Sequence, residues 1–269
     1  MEDLKPKYLF DNLNLLAEFK NDISTAIITD IDGTISEITN NPKKALITPS
    51  MRNKLIKLKE RFNLLAVISG RSLKDARSMV GIEDILYVGN HGLEYFSDGE
   101  YFVAPDVENY LSSINKTASK INKDLCAIEG LLFEDKGICY SIHYRKCDGS
   151  EIIRNKILDS IEKVPESKKL QINEGRKIVE LKPPVGYDKG VIIHEIVDKY
   201  NLKKIIYLGD DITDLDAFKE LKKLENQKKI KSASIIVLSN EIPIYVKNGA
   251  QFFVCDVKEV LKFFRWLLD

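Results

Sequence analysis

Ala26-Ile27-Ile28-Thr29-Asp30-Ile31-Asp32-Gly33-Thr34 decides the fold. Three apolar residues in a row read as a buried strand, and the acidic, glycine-bearing turn after them reads as its carboxyl end. In open α/β sheets that end is where ligands bind. Asp30 and Asp32 then share one crevice, where one carboxylate can attack and the other can move protons. A second acidic cluster, Gly209-Asp210-Asp211-Ile212-Thr213-Asp214, follows another apolar run, Ile205 to Leu208. Asp and Thr also favour helix starts, so one carboxylate here can be a cap. Three carboxylates in five residues repel one another unless a cation compensates, and two strand ends bearing oxygen donors suit Mg2+.

The flanking pattern extends this start into a sheet. The strand is predicted over Thr25 to Asp30, with an amphipathic helix before it over Lys7 to Lys20, where Leu9, Leu13, Leu16 and Phe19 fall near one face. Pro49 to Arg61 reads as a helix with Thr48 as its cap. Leu64 to Ile68 is a continuous apolar run, as buried parallel strands are. It ends in Ser69-Gly70-Arg71, and Ser72 can cap the next helix. Ile85 to Val88 is a short strand ending at Gly89-Asn90-His91-Gly92. Strand–helix–strand–helix–strand predicts a doubly wound, mostly parallel α/β sheet.

After that the pattern changes. Asp106 to Asn122 and Glu151 to Lys163 read as helices. Leu125 to Phe133 and Ile138 to Tyr144 read as one strand pair, and Leu170 to Ile172 with Lys177 to Leu181 as another, turning at Glu174-Gly175. Adjacent strand pairs between helices predict an α+β unit with an antiparallel sheet. Pro183-Pro184 closes it, and the alternating pattern resumes at Val191. The expected division is a core of residues 1–96 and 185–269 around an inserted domain of residues 97–184.

Bulk properties exclude several function classes. Lys plus Arg equals Asp plus Glu, 41 each, so no basic excess argues for nucleic acid. No apolar stretch approaches the roughly 20 residues that span a bilayer. Met1-Glu2-Asp3-Leu4-Lys5 lacks an apolar h-region, so no secretory signal is expected. Cys126, Cys139, Cys147 and Cys255 show no CxxC spacing, which argues against zinc or a disulfide framework and for a reducing cytoplasm. They read as small core residues. His194, among apolar helix residues, reads as structural, and Phe263-Phe264-Arg265-Trp266 as a helix packing its aromatic face on the sheet.

Taken alone, Lys189 is a solvated helix residue and Ser69-Gly70-Arg71 a common strand ending. Their order changes that. Asp30-x-Asp32, Ser69 after a strand, Lys189 opening a helix and Gly209-Asp210-Asp211-x-x-Asp214 after a strand together resemble the haloacid dehalogenase-like phosphatase superfamily. Val67-Ile68-Ser69-Gly70-Arg71, Gly89-Asn90-His91-Gly92-Leu93-Glu94, Glu134-Asp135-Lys136-Gly137, His143-Tyr144-Arg145 and Val179-Glu180-Leu181-Lys182-Pro183-Pro184, running into Asp188-Lys189-Gly190, resemble the trehalose-6-phosphate phosphatase family.

The resemblance implies a core of that superfamily carrying a C2-type α+β cap, and hydrolysis of trehalose 6-phosphate with Mg2+ as cofactor. Asp30 would form an aspartyl-phosphate, Asp32 would serve as acid and base, Ser69 would bind a phosphoryl oxygen and Lys189 would offset charge. Asp30, Asp32 through its backbone carbonyl, Asp210, Asp211 and more distantly Asp214 would make the metal site. Gly33, Thr34, Gly70, Arg71, Asn90 and His91 on the core, with Glu134, Lys136, His143, Arg145 and Glu180 on the cap, would bind the sugar phosphate, and cap closure would expel water. No glycosyltransferase domain precedes these motifs, so a separate synthase is expected as the partner reaction. A phosphatase for sucrose phosphate or a glycosyl-glycerate phosphate, a phosphomutase and a silent sugar-phosphate sensor remain alternatives at this point.

Overall fold

The computed structural model describes residues 5–39, 41–240 and 242–269; the Met1-Glu2-Asp3-Leu4 segment read above lies outside them. The chain divides into one unit of Met1–Phe102 with Tyr187–Asp269 and a second of Val103–Gly186. The sequence reading placed those borders at 96/97 and 184/185.

The first unit is built on a nine-stranded sheet. Its strands are β1 (Lys7–Tyr8), β2 (Ala26–Thr29), β3 (Leu64–Ile68), β4 (Leu86–Gly89), β5 (Glu94–Ser97), β6 (Glu100–Val103, reaching the border of the second unit), β11 (Lys204–Gly209), β12 (Lys231–Val237) and β13 (Phe252–Val254). The order is β1-β13-β12-β11-β2-β3-β4-β5-β6. β2 pairs in parallel with both β11 and β3, so Asp30 leaves the middle of the sheet at the point where strand order reverses. β5 turns antiparallel, against β4. The helices are α1 (Ala17–Lys20), α2 (Pro49–Arg61), α3 (Leu73–Val80), α6 (Lys189–Lys199), α7 (Asp214–Asn226), α8 (Ile244–Lys247) and α9 (Val257–Leu268), with α4 (Glu108–Leu125) and α5 (Ser150–Glu162) in the second unit.

Strand alternation sorts the core into two layers. Ile27, Leu65, Val67, Ile206 and Leu208 face α2, α3 and α9, whose Leu55, Val80, Phe263 and Phe264 are buried against them. Ala26, Ile28, Ala66, Ile68 and Ile205 face α6 and α7, through Ile193, Ile196, Phe218 and Leu221. Helices on both faces explain why these strands read as unbroken apolar runs. Thr48 and Ser72 cap α2 and α3 by accepting from the Met51 and Asp75 amides. His194 pins α6 to α7, its Nδ1 2.8 Å from Glu220 Oε1.

The second unit carries a four-stranded antiparallel sheet, β7 (Leu132–Asp135), β8 (Tyr140–His143), β9 (Gln171–Gly175) and β10 (Ile178–Lys182), in the order β7-β8-β10-β9. Tyr140, Ile142, Val179 and Leu181 pack on Ile114, Ile121, Ile157 and Ile161 of α4 and α5.

Several predicted elements are corrected. Lys7 to Lys20 is not one helix: Lys7–Tyr8 pairs with β13 as an edge strand, short 3-10 turns follow, and only Ala17–Lys20 is α-helical. Asn12 interrupts the helix by donating its side-chain N–H to the Tyr8 carbonyl, 2.8 Å away. Leu9, Leu16 and Phe19 are nonetheless buried. Residues 125–131 are not strand, because α4 extends to Leu125 and Gly130 turns the chain before β7. The turn assigned to Glu174-Gly175 falls instead at Arg176-Lys177, with Lys177 left-handed. The β5–β6 hairpin was not anticipated, although its Asp98-Gly99 turn, both residues at positive φ, is the sequence type such turns require. Of the cysteines only Cys139 is buried; Cys126 and Cys255 are exposed. Among the described residues no helix is long and apolar enough to cross a membrane.

Candidate active site

The core site is assembled from four strand ends. Asp30 follows β2, and its amide donates to the Leu208 carbonyl of β11, 2.9 Å away. Its side chain is buried, with Oδ1 accepting from the Ile31 amide at 2.6 Å and Oδ2 receiving Lys189 Nζ at 2.8 Å. Lys189 opens α6, where Asp188 caps the first turn by accepting from the Gly190 and Val191 amides. Lys189 is 1% exposed, and its ammonium also donates to Asp214 Oδ1 at 2.6 Å. That burial replaces the solvated helix residue expected of a lone lysine, and the two carboxylates supply its partners.

Asp214 is the best satisfied of the acids. Oδ1 accepts from Lys189 and from the Tyr207 hydroxyl, each at 2.6 Å, and Oδ2 accepts from the Asp210 and Asp211 amides at 2.8 Å. Burial would raise its pKa, but Lys189 and these donors hold it below the usual carboxylate value. Asp30 shares the same ammonium with fewer donors. Burial lifts it to about 7 despite Lys189, and the Asp214 charge adds to the rise. Where two buried carboxylates share one cation, the better hydrogen-bonded one keeps its charge. Lys189 is raised above its ordinary value, since the two carboxylates outweigh the opposing effect of burial.

A cation would find oxygen donors here. Asp30, Asp210 and Asp214 each place a carboxylate oxygen within 4.8 Å of the others. Gly33 has φ +80°, and a Cβ there would overlap the Asp210 carboxylate, so glycine permits their close approach. The donor set is all hard oxygen, which fits Mg2+. Asp214 spends both oxygens on four hydrogen bonds and so stands behind the site. Asp211 Oδ1 accepts from the Ile212 amide. Neither the Asp211 nor the Asp32 carboxylate belongs to the cluster of three.

Asp32 is instead gripped by Arg71, Nε to Oδ2 and Nη2 to Oδ1, both 2.7 Å, while the same Nη2 donates to the Pro42 carbonyl at 3.0 Å. Ser69 Oγ is buried and accepts from the Arg71 amide. Asn90 is fully buried; its amide donates to the Arg71 carbonyl at 2.7 Å, and that of His91 to the Ser69 carbonyl at 3.0 Å. Ser69, Gly70, Arg71, Asn90 and His91 thus form one interlocked pair of loops. Thr34 Oγ1 is buried with no hydrogen-bond partner among the described residues, which leaves a donor for an incoming group.

The second unit carries a separate polar cluster on its sheet, in which Lys136, Ser141 and Glu180 are buried. Glu134 and Glu180 both pair across the ladder with Ser141. Glu180 Oε1 accepts from Lys136 Nζ at 2.8 Å and from Ser141 Oγ at 3.0 Å, and His143 Nε2 lies 2.7 Å from Glu134 Oε2. Arg145 lies beyond the strand that carries His143. β8 ends at His143, and Arg145 donates to the Arg176 carbonyl at 3.1 Å. Sequence reasoning missed Ser141 and Tyr207. Ser141 was visible as i−2 of His143 on a strand of period 2; Tyr207 sits in an apolar run that gives no such signal.

The trehalose-phosphatase family model matches residues 28–248. This chain belongs to the trehalose-phosphatase family. Trehalose-phosphate phosphatase B of Arabidopsis thaliana is 27% identical over 281 residues, covering 97% of this chain and 70% of that protein. The trehalose-phosphate phosphatase of Mycolicibacterium paratuberculosis is 31% identical over 199 residues, 72% of this chain and 50% of that one. The chain thus spans about half the length of this mycobacterial relative. The fold matches the Candida albicans trehalose-6-phosphate phosphatase C-terminal domain with TM-score 0.80 at 18% identity, covering 100% of this chain and 99% of the other. A trehalose-6-phosphate phosphatase related protein gives TM-score 0.75 at 22% identity, covering 90% and 96%. The fold is that of the haloacid dehalogenase-like phosphatases, and the family is one of phosphomonoester hydrolases.

Proposed function

We propose that this chain hydrolyses trehalose 6-phosphate to trehalose and phosphate, with Mg2+ as cofactor. The observation that carries the chemistry is the buried Asp30 carboxylate, held between Lys189 and the Asp210 side of the site. In the first step an Asp30 oxygen bonds to phosphorus, the bond from phosphorus to the sugar oxygen breaks, and Asp32 delivers a proton to that oxygen. In the second, Asp32 takes a proton from water as it attacks phosphorus, which releases phosphate and restores Asp30. Mg2+, held by Asp30, Asp210 and the Asp32 carbonyl, would offset the charge of the phosphoryl oxygens.

The remaining core groups position and neutralise. Ser69 and Thr34 offer hydroxyls to phosphoryl oxygens, and Lys189 offsets the negative charge that develops there. Arg71 holds Asp32 at rest and would exchange it for the phosphoryl group, a competing bidentate acceptor. In the cap, Glu134, Lys136, His143 and Glu180 offer both donors and acceptors, which sugar hydroxyls require. The substrate would come from a synthase reaction that joins two sugars. Exposed free Cys126 and Cys255 suit a reducing cytoplasm.

The test is phosphate release from trehalose 6-phosphate, sucrose 6-phosphate and glucose 6-phosphate, with and without Mg2+. The expected result is Mg2+-dependent release with preference for trehalose 6-phosphate. Preference for another sugar would overturn the substrate and keep the chemistry, and no release from any would overturn both.

A further inference from the structure

Glu94 lies outside the residues assigned above, yet its side chain joins the Asn90 turn, the start of α3 and the β5–β6 hairpin. It is 6% exposed, on β5. Oε1 accepts from the Asn90 side-chain amide at 2.6 Å and from the Leu73 backbone amide at 2.8 Å, and Oε2 accepts from the Tyr101 hydroxyl at 2.6 Å. Leu73 is the first residue of α3, whose N–H has no partner inside the helix, so a carboxylate there also meets the positive helix end. A buried carboxylate is costly unless hydrogen-bonded, and here three donors from separate segments converge on one.

The dipeptide beside it needs holding. Asn90 and His91 have φ of 48° and 57°, two successive residues in the left-handed region that non-glycine residues avoid. Their amides bond to the Arg71 and Ser69 carbonyls, and the His91 ring lies against Gly70 so closely that a Cβ there would overlap it. We propose that Glu94 is a positioning residue: it fixes the Asn90 side chain, and through it the Asn90–His91 turn, against the Ser69–Arg71 loop. Resting on the function proposed above, this makes Glu94 a determinant of how well that loop pair receives the sugar phosphate. Tyr101, on the β5–β6 hairpin, completes the clamp from its outer side.

Hydrogen exchange of backbone amides tests the clamp without reference to substrate. In Glu94→Ala, the Asn90 and His91 amides should exchange at least about tenfold faster, while those of Ile205 to Leu208 in the sheet centre keep wild-type rates. Glu94→Gln should stay within about threefold of wild type, since its amide can still accept from Asn90 and Leu73 and can donate to the Tyr101 oxygen. If the Ala variant does not fold, Tyr101→Phe, which removes one half-exposed donor, should show the same acceleration more weakly. Unchanged exchange at Asn90 and His91, or acceleration spread equally over the sheet, overturns the proposal.

Activity supplies the second readout. On trehalose 6-phosphate, Glu94→Ala should lower kcat/KM by at least about tenfold, yet change it by less than about twofold in an Asn90→Ala background, because groups acting as one unit are not additive. Fully additive losses would show that Glu94 does not act through Asn90. A wild-type protein that releases no phosphate from this sugar sinks the functional reading alone; the exchange comparison then still decides for or against the clamp.

Discussion

The core site and the cap's polar sheet face are both rich in charge, but they balance it differently. In the core, Asp30 and Asp214 share Lys189, and Asp210 brings a third carboxylate within 4.8 Å of theirs. In the cap, Lys136 meets Glu180 at 2.8 Å and His143 meets Glu134 at 2.7 Å, so each of these acids has a nitrogen donor beside it. An acid-rich cluster is built to take a cation and, with it, an anionic phosphoryl group. A face of matched pairs gains nothing from an ion and suits neutral hydroxyls, which can exchange into its hydrogen bonds. In the function proposed above, charge recognition and sugar recognition would be divided between two units that fold on separate cores.

The largest expected effect breaks the core half of that comparison. Asp30→Asn should lower phosphate release by at least about a thousandfold, since an amide cannot attack phosphorus. Lys189→Met should destabilise the protein by about 3–5 kcal/mol in urea unfolding, because it strands buried Asp214 and Asp30 without their cation. The cap half is addressed by Glu180→Ala. It should cut the ratio of kcat/KM for trehalose 6-phosphate over p-nitrophenyl phosphate by about tenfold or more, because the small ester offers no sugar to read. An equal fall on both esters would assign Glu180 to the chemistry and erase the division.

Protonation gives a smaller effect with a defined sign. Asp30 is raised to about 7 in the folded protein. A carboxyl raised on folding contributes stability that is present at pH below its ordinary value and lost as pH climbs through the folded one. In metal-free protein the midpoint difference between wild type and Asp30→Asn should therefore move against wild type between about pH 4 and pH 7. Mg2+ must displace that proton, so its affinity, read by titration calorimetry, should rise by up to about tenfold per pH unit below 7 and level off above. The smallest change is Tyr207→Phe, which removes one donor from Asp214 and should cost about 1 kcal/mol.

Much of this was legible because the sheet is mostly parallel and the candidate site residues sit at strand ends. Asp30, Ser69, Asn90 and Asp210 each follow an apolar run, and such runs are read easily when helices cover both faces. The N-terminal segment was misread because its apolar spacing fits a helix, whereas pairing with β13 and the Asn12 side chain, both tertiary or local bonding effects, decide otherwise. The burial of Lys189 could not be read from its neighbours, since its partners stand 159 and 25 residues away in sequence. Glu94 was in plain view within Gly89-Asn90-His91-Gly92-Leu93-Glu94. Its role needed the β5–β6 hairpin and the start of α3, which the sequence reading did not bring together.

The most direct measurement is phosphate release from trehalose 6-phosphate by wild type and Asp30→Asn, each with Mg2+ and after chelation. The account predicts turnover only for wild type with Mg2+, at a rate above that for sucrose 6-phosphate. Turnover that survives in Asp30→Asn, or that is indifferent to chelation, would contradict it.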